Sequence, residues 1–158
     1  MTVVSDTSPV TNLMQIGQLP LLQGVFGVVI LPEAVYEELC VIPAQKTIID
    51  QQNWLFVQKP ADEKLVAELK KELDKGEAEA IALALELKAE ALIIDELKGR
   101  NKAEQVGLRI IGLLGVLLEA KRKGLIPTVK HLMDELVSKA GFKIHPALYQ
   151  QVLKISGE

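Results

Sequence analysis

The chain has 158 residues, is 49% hydrophobic and 25% charged, and carries a formal net charge of −3. That length and apolar fraction suit one domain with a sizeable core, and they exclude a chain dominated by disorder. No apolar stretch approaches the roughly 18 residues of a membrane span, and the single cysteine, Cys40, excludes a disulfide framework or a multi-cysteine zinc site.

The opening MTVVSD has no basic segment followed by an apolar run, so a secretory signal is not expected and a reduced cytoplasm is the default setting. Residues 3–6 read as a short strand. Residues 11–22 carry Leu13, Ile16, Leu19 and Leu22 at helical spacing, broken by Gly17 and Pro20. Residues 28–31 read as a second strand, and Pro32 opens a helix over 33–40. Residues 54–57 form a third predicted strand. An amphipathic helix over 62–73 follows, with Leu65, Val66, Leu69 and Leu73 on one face. Asp74 caps the next helix, with Glu77 three residues on in a variant capping box; its small residues suit close packing on a sheet. Residues 91–95 and 109–112 read as the fourth and fifth strands, separated by a helix over 99–106. Helices over 113–123, 128–139 and 145–155 complete the chain.

Strands alternating with helices, and strand runs that are nearly all apolar, predict a three-layer α/β/α domain around a mainly parallel sheet. The two C-terminal helices each have an apolar face and are expected to pack on the same core. Charge is uneven: residues 1–60 carry −3, residues 61–100 carry −4, and residues 101–158 carry +4. The basic third could face a polyanion, or Lys121, Arg122 and Lys123 could simply end a helix, where cations suit the dipole.

Ligands of an open parallel sheet bind beyond the carboxyl ends of its strands. Asp6 ends the first predicted strand, followed by Thr7 and Ser8, and Asp95 ends the fourth, followed by Glu96. A charge closing a buried strand must be solvated, paired or metal-bound, although each Asp could also cap the following helix. Glu77 opens a helix that starts at this same edge, and Glu38 lies one to two turns into a helix leaving it. Carboxylates without His or Cys partners suit a hard cation such as Mg²⁺ or Mn²⁺. No Walker A loop, dinucleotide fingerprint or serine elbow is present. His131 and His145 read as surface or capping residues.

Four segments together resemble PIN-domain nucleases, and within them the PilT N-terminus-like subgroup related to VapC-type toxins: Ser5-Asp6-Thr7-Ser8-Pro9, the run from Leu31 to Leu39, the run from Gly76 to Ala84, and Leu92-Ile93-Ile94-Asp95-Glu96 with Arg100. The resemblance covers about residues 1–125 as a core, with 126–158 as a C-terminal helical extension of a single PIN-like domain. It implies a five-stranded sheet in the order 3-2-1-4-5 and an Mg²⁺- or Mn²⁺-dependent endoribonuclease. It places the acids on Asp6, Glu38, Glu77 and Asp95, with Asp6, Glu77 and Asp95 as metal ligands and a hydroxyl at Thr7 or Ser8. Glu37, Glu79 and Glu96 are the fallback acids; the third acid is commonly Asp in these proteins and is Glu here, with Glu79 as its rival. Lys98 and Arg100 follow the fourth strand and could grip an RNA backbone.

These residues and the resemblance together point to an endoribonuclease that cleaves single-stranded RNA, leaving 5′-phosphate and 3′-hydroxyl ends, as the toxin of a toxin–antitoxin pair with a cognate antitoxin partner. A non-catalytic RNA-binding module and a small-molecule phosphohydrolase are the alternatives. The aliphatics Leu13, Ile16, Leu19, Leu21 and Leu22 either cover the sheet or form a two-fold homodimer face, to which the family's habit of dimerising adds weight.

Overall fold

The computed structural model describes residues 1–158. Five strands form one sheet: β1 (Val3–Ser5), β2 (Val29–Pro32), β3 (Leu55–Gln58), β4 (Ala91–Ile93) and β5 (Ile110–Ile111). All neighbours are parallel and the order is β3-β2-β1-β4-β5, as the resemblance implied. Ten helices surround it: α1 (Thr7–Gln15), α2 (Pro20–Phe26), α3 (Glu33–Leu39), α4 (Pro43–Asp50), α5 (Glu63–Leu69), α6 (Lys75–Glu86), α7 (Leu97–Gln105), α8 (Leu113–Arg122), α9 (Lys130–Lys139) and α10 (Pro146–Ser156).

Side chains alternate across a strand, and here they divide two cores. Val3, Ala91 and Ile93 point into the larger core with residues of α1, α2, α8, α9 and α10. Val4, Leu92 and Ile94 point into the smaller one, built mainly by α6 with α5 and α7. Helix α6 is buried from Gly76 through Ala84, and its alanines let it lie close against the sheet. The C-terminal helices place Leu132, Met133, Leu136 and Val152 in the larger core, as expected.

Several expectations are corrected. The first helix starts at Thr7, not at residue 11: Asp6 is the extended N-cap residue, and Pro9 sits in the first turn, where a missing N–H costs nothing. Helix α5 stops at Leu69, short of residue 73. Helix α4 was not expected from the sequence; it buries only Ile49 and so shows no apolar stripe. Strand β3 is an edge strand that exposes Phe56, Val57 and Gln58, unlike the buried strand predicted there. Leu13, Ile16, Leu19, Leu21 and Leu22 are all buried inside the monomer, so they cover the sheet and offer no dimer face. No helix is long and apolar enough to cross a membrane.

Candidate functional site

The order 3-2-1-4-5 makes β1 and β4 neighbours, with Ser5 in register with Ile93. The Asp6 N–H donates to the Ile93 carbonyl at 2.9 Å, so the chain leaves both strands at one edge. A cavity of about 270 Å³ opens there, and none of its nine lining residues is hydrophobic. Asp6, Glu38 and Glu77 line it with Thr7, Ser8 and Glu96. Asp95 borders the adjoining cavity instead, with Arg100.

Each carboxylate is placed by a different element. Asp6 is 6% exposed at the start of α1. Glu38, in the last turn of α3, accepts a 2.7 Å hydrogen bond from the Thr7 hydroxyl through Oε2. Glu77 is 5% exposed in the first turn of α6. Its Oε1 accepts from the Asp74 N–H while the Asp74 side chain accepts from the Glu77 N–H, the capping box expected from the sequence. Asp95 accepts from the Leu113 N–H at 2.9 Å through Oδ1, which ties it to the start of α8. Two buried oxygens, Glu77 Oε2 and Asp95 Oδ2, have no partner at all. Such orphans are uncommon inside folded proteins and call for an explanation.

Glycines make the room. A Cβ on Gly76 would lie 2.6 Å from Glu38 Oε1, one on Gly99 would lie 2.9 Å from Glu77 Oε2, and one on Gly112 would lie 3.0 Å from Asp95 Oδ1. Three of the four carboxylates therefore rest directly against a backbone that lacks a side chain.

Burial raises the Asp6 carboxyl to about 7, against the lowering effect of the Thr7 N–H and with further raising by Asp74, Glu38 and Asp95. Burial likewise raises Glu77 to about 7; the Asp74 N–H opposes this, and the charges of Asp74 and Asp6 reinforce it. Asp95 is pushed up by burial, with the Leu113 N–H and Arg100 pulling the other way. Perturbed carboxyls gathered at one sheet edge mark a candidate functional site.

The remaining expected residues divide. Glu96 reaches the cavity. Glu37 is exposed and does not line it. Glu79 faces elsewhere: it is 6% exposed and accepts the Ala34 N–H at 2.9 Å, capping α3 from outside because Pro32 has no side-chain cap to offer. Arg100 turns inward to the Ile94 carbonyl at 3.3 Å. Lys98 lines a separate cavity with Lys71 and Lys102, and Lys102 pairs with Glu72. His145 caps α10, accepting from the Ala147 N–H, and His131 is exposed, as expected.

Thr11, Asn12 and Asp74 also line the acidic cavity and were not singled out in the sequence. With the first helix started at Thr7, Thr11 follows one turn later on the same face, so the correct helix start would have revealed it. In the sequence Asp74 reads only as a cap, yet a cap at this edge is also a wall of the cavity.

An all-oxygen donor set with orphaned, raised carboxyls fits a hard divalent cation. The side chains do not form a ready cage, since no three Asp, Glu, His or Cys groups are gathered into one. Like charges without a counter-ion repel, and here Glu38 and Asp95 have found Thr7 and Leu113 as partners. No curated protein matches the chain. The family model described as DUF3368, PIN domain, matches residues 2–158. With a parallel 3-2-1-4-5 sheet, acids at its carboxyl edge and a match over nearly its whole length, the chain belongs to this PIN-domain family.

Proposed function

We propose that the chain is a metal-dependent endoribonuclease that hydrolyses phosphodiesters of single-stranded RNA. PIN domains are generally nucleases. The observation that carries the reading is the pair Asp6 and Glu77. Both are buried and raised to about 7, and they line a cavity without one apolar wall residue. Two such acids held together cost stability, and a cation that neutralises them offsets that cost. A small-molecule phosphohydrolase is less well supported, because the cavity has no apolar wall residue, whereas pockets for small ligands are lined mainly by apolar side chains.

Asp6, Glu77 and Asp95 would hold Mg²⁺ or Mn²⁺, which supplies Lewis acidity toward a phosphate oxygen and a lower pKa for bound water. Glu38 keeps the Thr7 hydroxyl oriented at the cavity mouth, and Asp74 holds Glu77 through the capping box. Hydrolysis adds the water oxygen to phosphorus and breaks the bond to the 3′ oxygen, which takes up a proton. The products are a 5′-phosphate and a 3′-hydroxyl. Unrestrained cleavage of single-stranded RNA would damage the cell that makes the enzyme, and the reading extends to a toxin held in check by an antitoxin that covers this edge.

The test is cleavage of a mixed RNA pool with Mn²⁺ by the wild-type protein and by Asp6→Asn. Cleavage abolished by Asp6→Asn and by EDTA is expected. Full activity in either condition would refute a metal-dependent mechanism at this site.

A further inference from the structure

Strand β5 is the short edge of the sheet beside Asp95. Two cavities flank it. One, of about 600 Å³, runs from Asp95 and Arg100 past Ile111 and Gly115 to Phe142 and Lys143. The other, of about 590 Å³, continues from Ile111 and Gly115 to Arg109 and Arg122. The two share the lining residues Ile111 and Gly115 and so lie next to each other along the β5 edge, from Asp95 outward; together they make up the β5-edge groove.

Its chemistry is mixed in a specific way. The floor at the Asp95 end is largely apolar, with the half-buried Phe142 and the exposed Leu148. The walls carry cations. Arg109 and Lys143 are exposed and make no ion pair, while the one acid of the far wall, Glu119, is already paired with Arg122 at 2.8 Å. Free cations over an apolar, aromatic-bearing floor match single-stranded nucleic acid, whose phosphates need charge and whose bases need a face to stack on. Of the four cations from residues 101–158 that line the groove, Lys121 is tied to Glu158 and Arg122 to Glu119, so Arg109 and Lys143 are the two left free. The competing channel beside Lys98 fits less well: one of its seven lining residues is hydrophobic, and Lys71 and Lys102 are paired with Glu68 and Glu72.

We infer that the β5-edge groove is the track for single-stranded RNA leaving the acidic site, with Arg109 and Lys143 holding phosphates and Phe142 stacking a base. The assignment rests on the ribonuclease reading above and names where that substrate lies.

The probe is a fluorescein-labelled oligouridylate of twelve nucleotides, its binding read by anisotropy on full-length protein carrying Asp6→Asn to prevent turnover. Adding Arg109→Ala and Lys143→Ala together should raise Kd at least about tenfold. It should also flatten the log–log salt slope by about 1.4, at about 0.7 for each phosphate that is no longer neutralised. Phe142→Leu should weaken binding of the oligouridylate more than that of an abasic strand of equal length. In otherwise wild-type protein, the Arg109/Lys143 double substitution should raise KM and spare kcat. Wild-type Kd and slope in the double variant would overturn the groove as an RNA track and leave it to a protein partner. A loss confined to Lys98→Ala would overturn it in favour of the opposite channel. If the wild-type protein neither binds nor cleaves RNA, the ribonuclease reading itself fails, and the groove assignment fails with it.

Discussion

The substitution Asp6→Asn should make the protein more stable at about pH 8 and leave its stability unchanged at about pH 3.5, below both ionisations. Asp6 is 6% exposed, and its carboxyl moves from an ordinary 3.8 to about 7. Between those values the folded chain holds a proton that the unfolded chain has released. Stability therefore falls as pH rises through this window, and the full penalty is present above about 7. At about 1.4 kcal/mol per pH unit, the penalty reaches about 4 kcal/mol. Water admitted to the cavity on ionisation screens it, to about 2–3 kcal/mol. Asn keeps the shape and cannot ionise, so the variant should gain that amount, about 4–12 °C in Tm for a domain of this size. Thermal melts across the window, with and without millimolar Mn²⁺, read the effect. Mn²⁺ should raise the wild-type Tm by mass action at high pH and raise that of Asp6→Asn less. A variant less stable than wild type at about pH 8, or one whose gain does not change with pH, would refute the argument from buried, repelling carboxylates.

Glu79→Ala should lose about 1–3 kcal/mol in urea denaturation, because the buried Ala34 N–H is left without its acceptor; Glu79→Gln retains an acceptor oxygen and should lose much less. Glu158 accepts from the Val129 and Lys130 N–H groups, Lys121 and Ser156. Although burial acts to raise its carboxyl, these partners bring it down to about 2. Its stabilisation is therefore present above the ordinary 4.5 and is lost as pH falls toward about 2. Glu158→Gln should melt below wild type at neutral pH, with the gap closing over that acid range; a gap that persists there would contradict the assignment.

Much of the architecture was legible because parallel strands and their helices carry strong local signals. The small-residue helix and the Asp74–Glu77 capping box lie where the sequence places them, and the apolar runs at residues 28–31 and 91–95 fall on β2 and β4, although β4 ends at Ile93, two residues before Asp95. Helix α4 was not legible, since a helix that buries one residue has no periodic apolar face. The apolar spacing that marks the first helix begins only at Leu13, so the sequence starts that helix too late, and its true start at Thr7 is what brings Thr11 into the site. The exposure of β3 follows from its edge position, which depends on strand order and not on its own residues. The strand order itself came from family resemblance, because alternation of strands and helices fits several doubly wound orders.

The separation of Glu77 from Glu79 lay beyond local sequence for a physical reason. Two residues on a helix are about 200° apart, so α6 must turn these glutamates to nearly opposite sides. Which side meets the cavity depends on where α3 and β1 pack. Glu77 lines the cavity beside Asp6, while Glu79 fastens the first turn of α3 through Ala34. The last turn of α3 carries Glu38 back to that same cavity, where it meets Thr7 and lies against Gly76 of α6. One helix thus supplies an acid directly and fixes a second through the helix that bears it. The acid that looked like a rival for the site instead holds in place an element the site depends on.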